Sequence, residues 1–406
     1  MSWKREKLKN VCEFIDGDRG KNYPSNGELF DNGDCLFLNT GNVTATGFDF
    51  TSCQFIADEK DRALRKGKLL RGDVVLTTRG TLGHVAYYSD AIPFDRIRIN
   101  SGMLIARSSV HLLPNYLFYA FRDPMFQAMI DGVRSGSAQP QLPAKTLKEM
   151  TIPVPTLEEQ KRIADILSAY DKLIENNRRQ IALLEEAAQR LYKEWFVDLR
   201  FPGHETTPIH DGLPEGWRNG LLGDIVSFVS GYAFKSSSFS KEGNYKVVTI
   251  KNVLDGKFDG NGMDLIIDLP KNMTSECILH QGDILISLTG NVGRVCLVIG
   301  ENCLLNQRVA KIKTRAKAFT YCFFRLKATK ALLENMSSGT AQKNLSTVKA
   351  LQMSIMIPDE RLIRLFELNA KPLLDAIVNL ESQIEYTREA CDRLLPKLMS
   401  GEIEVG

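Results

Sequence analysis

The chain repeats itself once, and that constrains its fold more than any other feature. "RGDVVLTTRGTLGHVA" (71–86) aligns without a gap to "QGDILISLTGNVGRVC" (281–296), a shift of 210 positions. At the same shift "NTGNV" (39–43) faces "TIKNV" (249–253). Further along, "RSGSAQPQL" is answered by "MSSGTAQKNL", with Gln139 facing Gln342, and "MTIPVP" (150–155) by "MSIMIP" (353–358). "WKREKLKNVCEFIDG", from Trp3, can be set against "WRNGLLGDIVSFVSG", from Trp217. Matches in one order along the chain mean a duplicated unit, and two copies of so long a unit do not make a solenoid.

Each copy has the same coarse anatomy. β-rich runs such as "GDVVLTT" and "GDILISL" are punctuated by Gly, Asn and Asp. One shorter helix is expected around "NYLFYAFRDPMFQAMI" and its counterpart "AFTYCFFRLKATKALLENM", ended by the Gly-Ser/Thr-Ala-Gln phrase. A long helix follows, introduced by "IPVPTLEEQ" or "IPDERLI", where proline fixes an extended lead-in. The expected class is α+β: two mixed α/β domains related by internal pseudo-symmetry, separated by two long helices forming an antiparallel coiled coil. The boundaries are 1–150 and 211–355 for the domains, 151–210 and 356–406 for the helical regions.

The long helices carry the strongest periodicity. Ile163, Leu167, Tyr170, Ile174, Asn177, Ile181, Leu184, Ala188, Leu191 and Trp195 alternate by four and three, and Ile363, Phe366, Ala370, Leu373, Ile377, Leu380, Ile384, Thr387, Cys391, Leu394 and Leu398 by three and four. So narrow and sustained a seam is a coiled-coil pattern, in which Asn177 is a register-setting polar residue. Pro372 is expected to kink or break the second helix. The two seams are expected to pair with each other; homodimerisation through one or both is the alternative. Residues 163 to 198 at ~1.5 Å per residue give a rod of roughly 50 Å, longer than the ~34–36 Å of one duplex turn.

Composition excludes several function classes. No apolar run of about eighteen residues suggests a membrane span, and the basic start lacks the apolar stretch of a secretory leader. The eight cysteines form no C-x-x-C pair and the five histidines do not cluster beside them, so no metal site is expected and a reducing cytoplasm is. A net charge of +3 does not prove a nucleic-acid partner, which leaves local patterns to decide.

Two similar heads on a spacer suit a reader of two half-sites, with one chain supplying the pseudo-symmetry of a dimer. "LRKGKLLRG" (Lys66, Lys68) and "NQRVAKIKTRAK" (Arg308, Lys311) offer phosphate-neutralising cations or, equally, a solvated strand face. Within the aligned hairpins Gly72, Gly80 and Gly83 match Gly282, Gly290 and Gly293, whereas Arg79 faces Thr289, Thr81 faces Asn291 and His84 faces Arg294. A shared scaffold with different readout side chains gives that contrast, and so does drift at unconstrained turn positions. Gln139 and Gln342 stand in small-residue loops that admit close backbone approach, or that merely end a helix.

The phrases "TLEEQKRIADIL", "RLYKEWFVD", "LPEGWR…LLGDI" and the closing "LLPKLMSGEI" resemble those of the specificity (S) subunit of type I restriction-modification systems, in order, over essentially the whole chain. The second half departs with "PDERLIRLF", and the first domain lacks a "PEGW" lead-in. The resemblance implies two target-recognition domains reading the halves of a bipartite double-stranded DNA target, and a spacer that sets the gap. It implies two methyltransferase subunits docked on that spacer, restriction subunits joining through the complex, and a prokaryotic cytoplasmic setting. S-adenosylmethionine, ATP and Mg would be bound by those partners, and this chain would need no cofactor and perform no catalysis.

The residues agree with a non-enzyme. There is no G-x-x-x-x-G-K-[ST] loop, no Asn/Asp-Pro-Pro-aromatic stretch for a flipped adenine, and Asp73 and Asp283 read as turn residues opening strands. Two alternatives stay open: a methyltransferase or nuclease in its own right, and a coiled-coil scaffold without nucleic acid.

Overall fold

The structure is a computed structural model that describes residues 3–133, 141–339 and 343–405. The chain divides into two compact units, Met1–Lys172 with Thr387–Gly406, and Leu173–Tyr386.

The first unit is built on a four-stranded antiparallel sheet in the order Cys12–Asp16, Met103–Ser108, Val74–Thr77, Val85–Tyr87. "VVLT" is buried at every position because both sheet faces are covered. Val74 and Leu76 join Leu104, Ala106 and the helical residues Tyr116, Leu117, Phe121 and Phe126. Val75 joins Ile105, Ala86 and residues of a second sheet, Leu36, Leu38, Ile97 and Ile99. Alternation with period two thus produces three layers. The outer sheet comprises Phe55–Ile56, Cys35–Leu38 and Ile97–Ile99, with the last two parallel. A ribbon of Arg5–Lys7 and Thr151–Pro153 joins the chain's start to the lead-in of the first long helix.

The second unit repeats this order strand for strand: Val226–Ser230, Val309–Thr314, Ile284–Ser287, Val295–Leu297. Its outer sheet again has a parallel pair, Tyr245–Val248 with Cys303–Leu305, flanked by Asp264–Ile266 and Ile278–Leu279. The ribbon returns as Arg218–Leu221 with Ser354–Ile357.

The single shorter helix expected in each copy is two helices in both. Pro114–Arg122 stops before Pro124–Gly132, because Asp123 precedes proline and takes an extended ψ of 129°. Lys317–Arg325 and Lys327–Met336 part at Leu326, ψ 133°, where no proline stands. There the half-buried packing of Leu326 on the core, not local propensity, accompanies the break.

The first long helix, Leu157–Tyr192, opens on a capping box: the Thr156 hydroxyl donates to the Glu159 carboxylate (2.8 Å) and accepts from the Glu159 amide (3.3 Å). The second, Glu360–Ser400, starts after Asp359, whose carboxylate accepts from the Arg361 amide (2.7 Å). It ends at Gly401, which takes the left-handed φ of 74° that glycine adopts freely. In the second unit Ile174, Ile181, Ile377 and Ile384 form one buried cluster, with Leu184 and Leu380 half-buried against it. Asn177, buried on that seam, donates to Gln383 (3.2 Å), and further on Tyr192 meets Phe366 (5.7 Å between ring centroids). Numbers rise along one helix as they fall along the other, so the pair is antiparallel.

Beyond that cluster the expected seam merges with the domain cores. Ile163, Leu167, Cys391 and Leu398 belong to the core of the first unit, with Tyr170 and Leu394 half-buried against it. Ala188, Phe366 and Ala370 belong to the core of the second, with Leu191 and Leu373 at its margin. Leu362, Leu374, Val378, Leu395 and Met399 are buried as well, so the second helix has a wider apolar face than two positions per heptad. Pro372 and Pro396 do not end this helix. Each forfeits one backbone hydrogen bond, and the burial of neighbours such as Leu374 and Leu395 outweighs that loss.

Candidate nucleic-acid interface

The most closely duplicated local geometry is a loop fastened by one hydroxyl. In the first head the Thr77 hydroxyl donates to the Thr81 carbonyl (2.5 Å) and accepts from the His84 amide (3.0 Å), while the Gly83 amide donates to the Thr77 carbonyl (3.1 Å). In the second the Ser287 hydroxyl donates to the Asn291 carbonyl (2.5 Å) and accepts from the Arg294 amide (3.0 Å), while the Gly293 amide donates to Ser287 (3.0 Å). Both hydroxyls are buried. Gly80, Gly83, Gly290 and Gly293 all have φ between 70° and 82°, so the path of each loop depends on glycine. What the two loops expose differs: Thr81 in one and Asn291 in the other, with Arg79, His84 and Arg294 half-buried.

Three neighbouring segments converge on each loop. The Leu142 amide donates to the Thr78 carbonyl (3.0 Å) and Arg79 bridges Gln141, so the residues directly after the first Gly-Ser-Ala-Gln phrase lie beside the loop. Likewise the Leu345 amide donates to Leu288 (2.8 Å), the Gly290 amide to Lys343 (3.0 Å), and Thr289 bridges Asn344. Gln139 and Gln342 themselves lie outside the described residues. The second segment is a turn held by a buried asparagine. Asn42 donates to Asp49 (3.0 Å) and Ser52 (2.8 Å), and Asn252 donates to Asp259 (2.9 Å). These turns place Thr40 against Gly80 and Ile250 against Gly290. The third is the turn before the central strand, where the Thr78 amide donates to Gly102 (2.8 Å) and the Leu288 amide to Arg308 (3.0 Å). Gly17 and Gly231 make room for it, since a Cβ on either would lie 2.1 Å from the carbonyl oxygen of Asn100 or Asn306.

One edge of the second head therefore gathers Asn291, Arg294 and Arg308 with Lys251, Gln307, Lys343 and Asn344, which the sequence reading did not single out. The corresponding edge of the first gathers Arg79, Thr81 and His84. The His84 ring is already engaged, its Nδ1 lying 3.0 Å from the Val43 carbonyl oxygen, so it braces the loop against the Asn42 turn. Thr77, Ser287, Asn42 and Asn252 were also missed as positioning residues; their signal was a like polar residue at a matched position in both copies.

Several cations of the two basic clusters are engaged within the fold. Lys311 is a correction: its side chain is buried, with its ammonium 3.4 Å from the Asp283 carboxylate and from the Ile278 carbonyl. An inward-facing strand position put it there, and its charge serves Asp283. Lys68, also expected at the interface, pairs with the buried Asp61 (2.9 Å), which Arg96 and Arg98 also contact. Burial would raise the Asp61 carboxyl, but hydrogen bonds from Arg96, Arg98 and Lys68 hold it below the usual carboxylate range. Arg71 lies over the Tyr88 ring (4.2 Å) and donates to the Ser89 and Ile92 carbonyls. Lys66 stays exposed on the run beside Arg98, which donates to its carbonyl (2.7 Å). Asp73 and Asp283 hold turns, accepting from the Leu70 (2.7 Å) and His280 (2.9 Å) amides.

The motifs nearest the long helices prove structural. Gln160 of "EEQKRI" is fully buried and meets three backbone groups, the Leu113 amide and the His111 and Pro155 carbonyls. Trp195 and Phe196 of "YKEWFVD" pack with Phe366, Phe319 and Trp217 in the second unit. Leu395, Leu398 and Met399 of the closing motif join the core of the first. Among the described residues no group of three or more His, Cys, Asp or Glu is placed to hold a metal ion, and no helix is long and apolar enough to cross a membrane.

Residues 1–186 and 214–361 match the family model described as the type I restriction modification DNA specificity domain. The MjaIX specificity subunit of Methanocaldococcus jannaschii is 28% identical over 346 residues, covering 82% of this chain and 78% of the relative. The HindI specificity subunit of Haemophilus influenzae is 21% identical, covering 96% and 99%. The crystal structure of the type I restriction-modification S subunit from M. genitalium has the same fold, with a TM-score of 0.60 at 16% identity over 100% of this chain and 97% of that one.

Proposed function

The chain belongs to the type I restriction-modification DNA specificity family, and from that premise we propose that each head reads one half of a bipartite double-stranded DNA target. The paired long helices set the gap between the halves and receive two methyltransferase subunits, with restriction subunits joining through the assembled complex. The observation that carries this reading is the matched pair of loops: one fastening, one glycine frame, different exposed side chains. Arg79, Thr81, Asn291 and Arg294 are the base-reading candidates. A guanidinium suits the O6/N7 edge of guanine and an asparagine side chain the edge of adenine, each worth ~1–3 kcal/mol of discrimination.

The chain contributes recognition and leaves chemistry to its partners, which would bind S-adenosylmethionine, Mg and ATP. A place beside the chromosome of a prokaryotic cell follows from that role. The test is footprinting of the chain assembled with its methyltransferase subunits on DNA that they modify. Two protected blocks around a less protected gap are expected. One continuous block, or methyl transfer by the purified chain alone, would contradict the proposal.

A further inference from the structure

Among the described residues the two heads are not electrically equivalent at the edge where their loops stand. The second carries Lys251 on the Asn252 turn, Arg308 before the central strand and Lys343 after its Gly-Thr-Ala-Gln phrase, all exposed, with Arg294 on the loop itself. Backbone contacts gather them: Gly290 lies against Ile250 and donates to the Lys343 carbonyl, and Leu288 donates to the Arg308 carbonyl. In the first head Gly41 and Gly102 occupy the positions of Lys251 and Arg308. Among the described residues none of these four cations forms an ion pair, whereas Lys311 and Lys313 on the adjoining strand are each matched by a carboxylate. Like charges assembled without counter-ions repel one another, and a polyanion laid across them relieves that repulsion.

We propose that the second head is the phosphate anchor of the pair: Lys251, Arg308 and Lys343 grip the backbone flanking its half-site, and the first head discriminates with little electrostatic grip of its own. This rests on the reading that the loop edges face DNA. Each phosphate neutralised contributes about −0.9 to the slope of log K against log salt on B-form DNA. The second head therefore supplies most of the salt dependence of the complex, and its affinity contribution is largely indifferent to sequence.

The experiment titrates the chain, assembled with its methyltransferase subunits, against its methylated motif at several salt concentrations. The triple variant Lys251→Gln, Arg308→Gln, Lys343→Gln is expected to flatten the slope by about 2.7, at about 0.9 per contact, and to weaken matched and mismatched half-sites alike. Arg79→Gln in the first head is expected to flatten it by no more than about 0.9. Arg315→Gln, which removes one exposed charge at the opposite end of the Val309–Thr314 strand, is the single-charge control and leaves the slope unchanged. An unchanged slope in the triple variant overturns the proposal, as does flattening by about 0.9, the full value of one contact, in Arg315→Gln. If the wild-type complex binds no bipartite DNA, the functional reading fails first and takes the anchor with it; a bipartite target with an unchanged slope removes the anchor alone.

Discussion

Replacing Ser287 by Ala removes one oxygen and unfastens two backbone groups of the second head's loop. The Asn291 carbonyl loses its donor and the Arg294 amide its acceptor. Each such hydrogen bond contributes about 0.5–1.5 kcal/mol net, so the loop's closed form loses about 1–3 kcal/mol. At about 1.4 kcal/mol per tenfold, a loss of about 2 kcal/mol admits up to a thirtyfold fall in preference for the correct second half-site. Thr77→Val is the mirror experiment, isosteric but without the hydroxyl that serves Thr81 and His84. The assay is competition binding of the assembled complex against duplexes altered in one half-site at a time. Ser287→Ala should lose discrimination in one half and Thr77→Val in the other, while Ser287→Thr and Thr77→Ser retain both. Discrimination within twofold of wild type in the alanine and valine variants would refute the reasoning, as would equal loss in both halves.

Asp61→Asn should destabilise the first unit by about 3–5 kcal/mol, the cost of leaving a buried cation without its partner, because Arg98 is itself buried; urea unfolding measures it. Since the Asp61 carboxyl lies below its unfolded value, its contribution is complete above about pH 3.9 and is lost only as pH falls further toward the folded value. An acid-unfolding curve of the Asn variant should lack that component. Asn177→Leu should raise the thermal midpoint, since a polar residue on a helical seam specifies register at a cost in stability; a lowered midpoint would show that the Gln383 hydrogen bond outweighs the burial. Removing the facing heptads 174–180 and 380–386 shortens the helix pair by about 10 Å at ~1.5 Å per residue. The tolerated gap between half-sites should then shrink by about three base pairs at ~3.4 Å each, and an unchanged gap in the methylated motif would show that the helices do not set it.

The duplication was legible because a repeated topology needs repeated glycines. Gly72, Gly80 and Gly83 and their counterparts all take positive φ, which few other residues tolerate, so the frame shows in the letters. The buried seam positions were legible for the same kind of reason, since Ile174, Ile181, Ile377 and Ile384 keep a strict spacing. The inward turn of Lys311 was not, because a strand of alternating residues has two faces and only its neighbours decide which one is covered. The Lys68–Asp61 pair was not legible either: the two are close in sequence, but Arg96 and Arg98, which also meet that buried carboxylate, come from in and just before the distant Ile97–Ile99 strand. The helix break at Leu326 carries no proline and could not be read from propensity. Two of the phrases that carry the family resemblance act as fastenings, Gln160 holding three backbone groups and Trp195 closing an aromatic cluster.

Sequencing of methylated adenines in DNA modified by the assembled complex tests the central claim most directly. Two short specified blocks about a gap of fixed length are predicted, with Arg79→Ala degrading one block and Arg294→Ala the other. A single contiguous motif, or variants that degrade both blocks equally, would contradict the account.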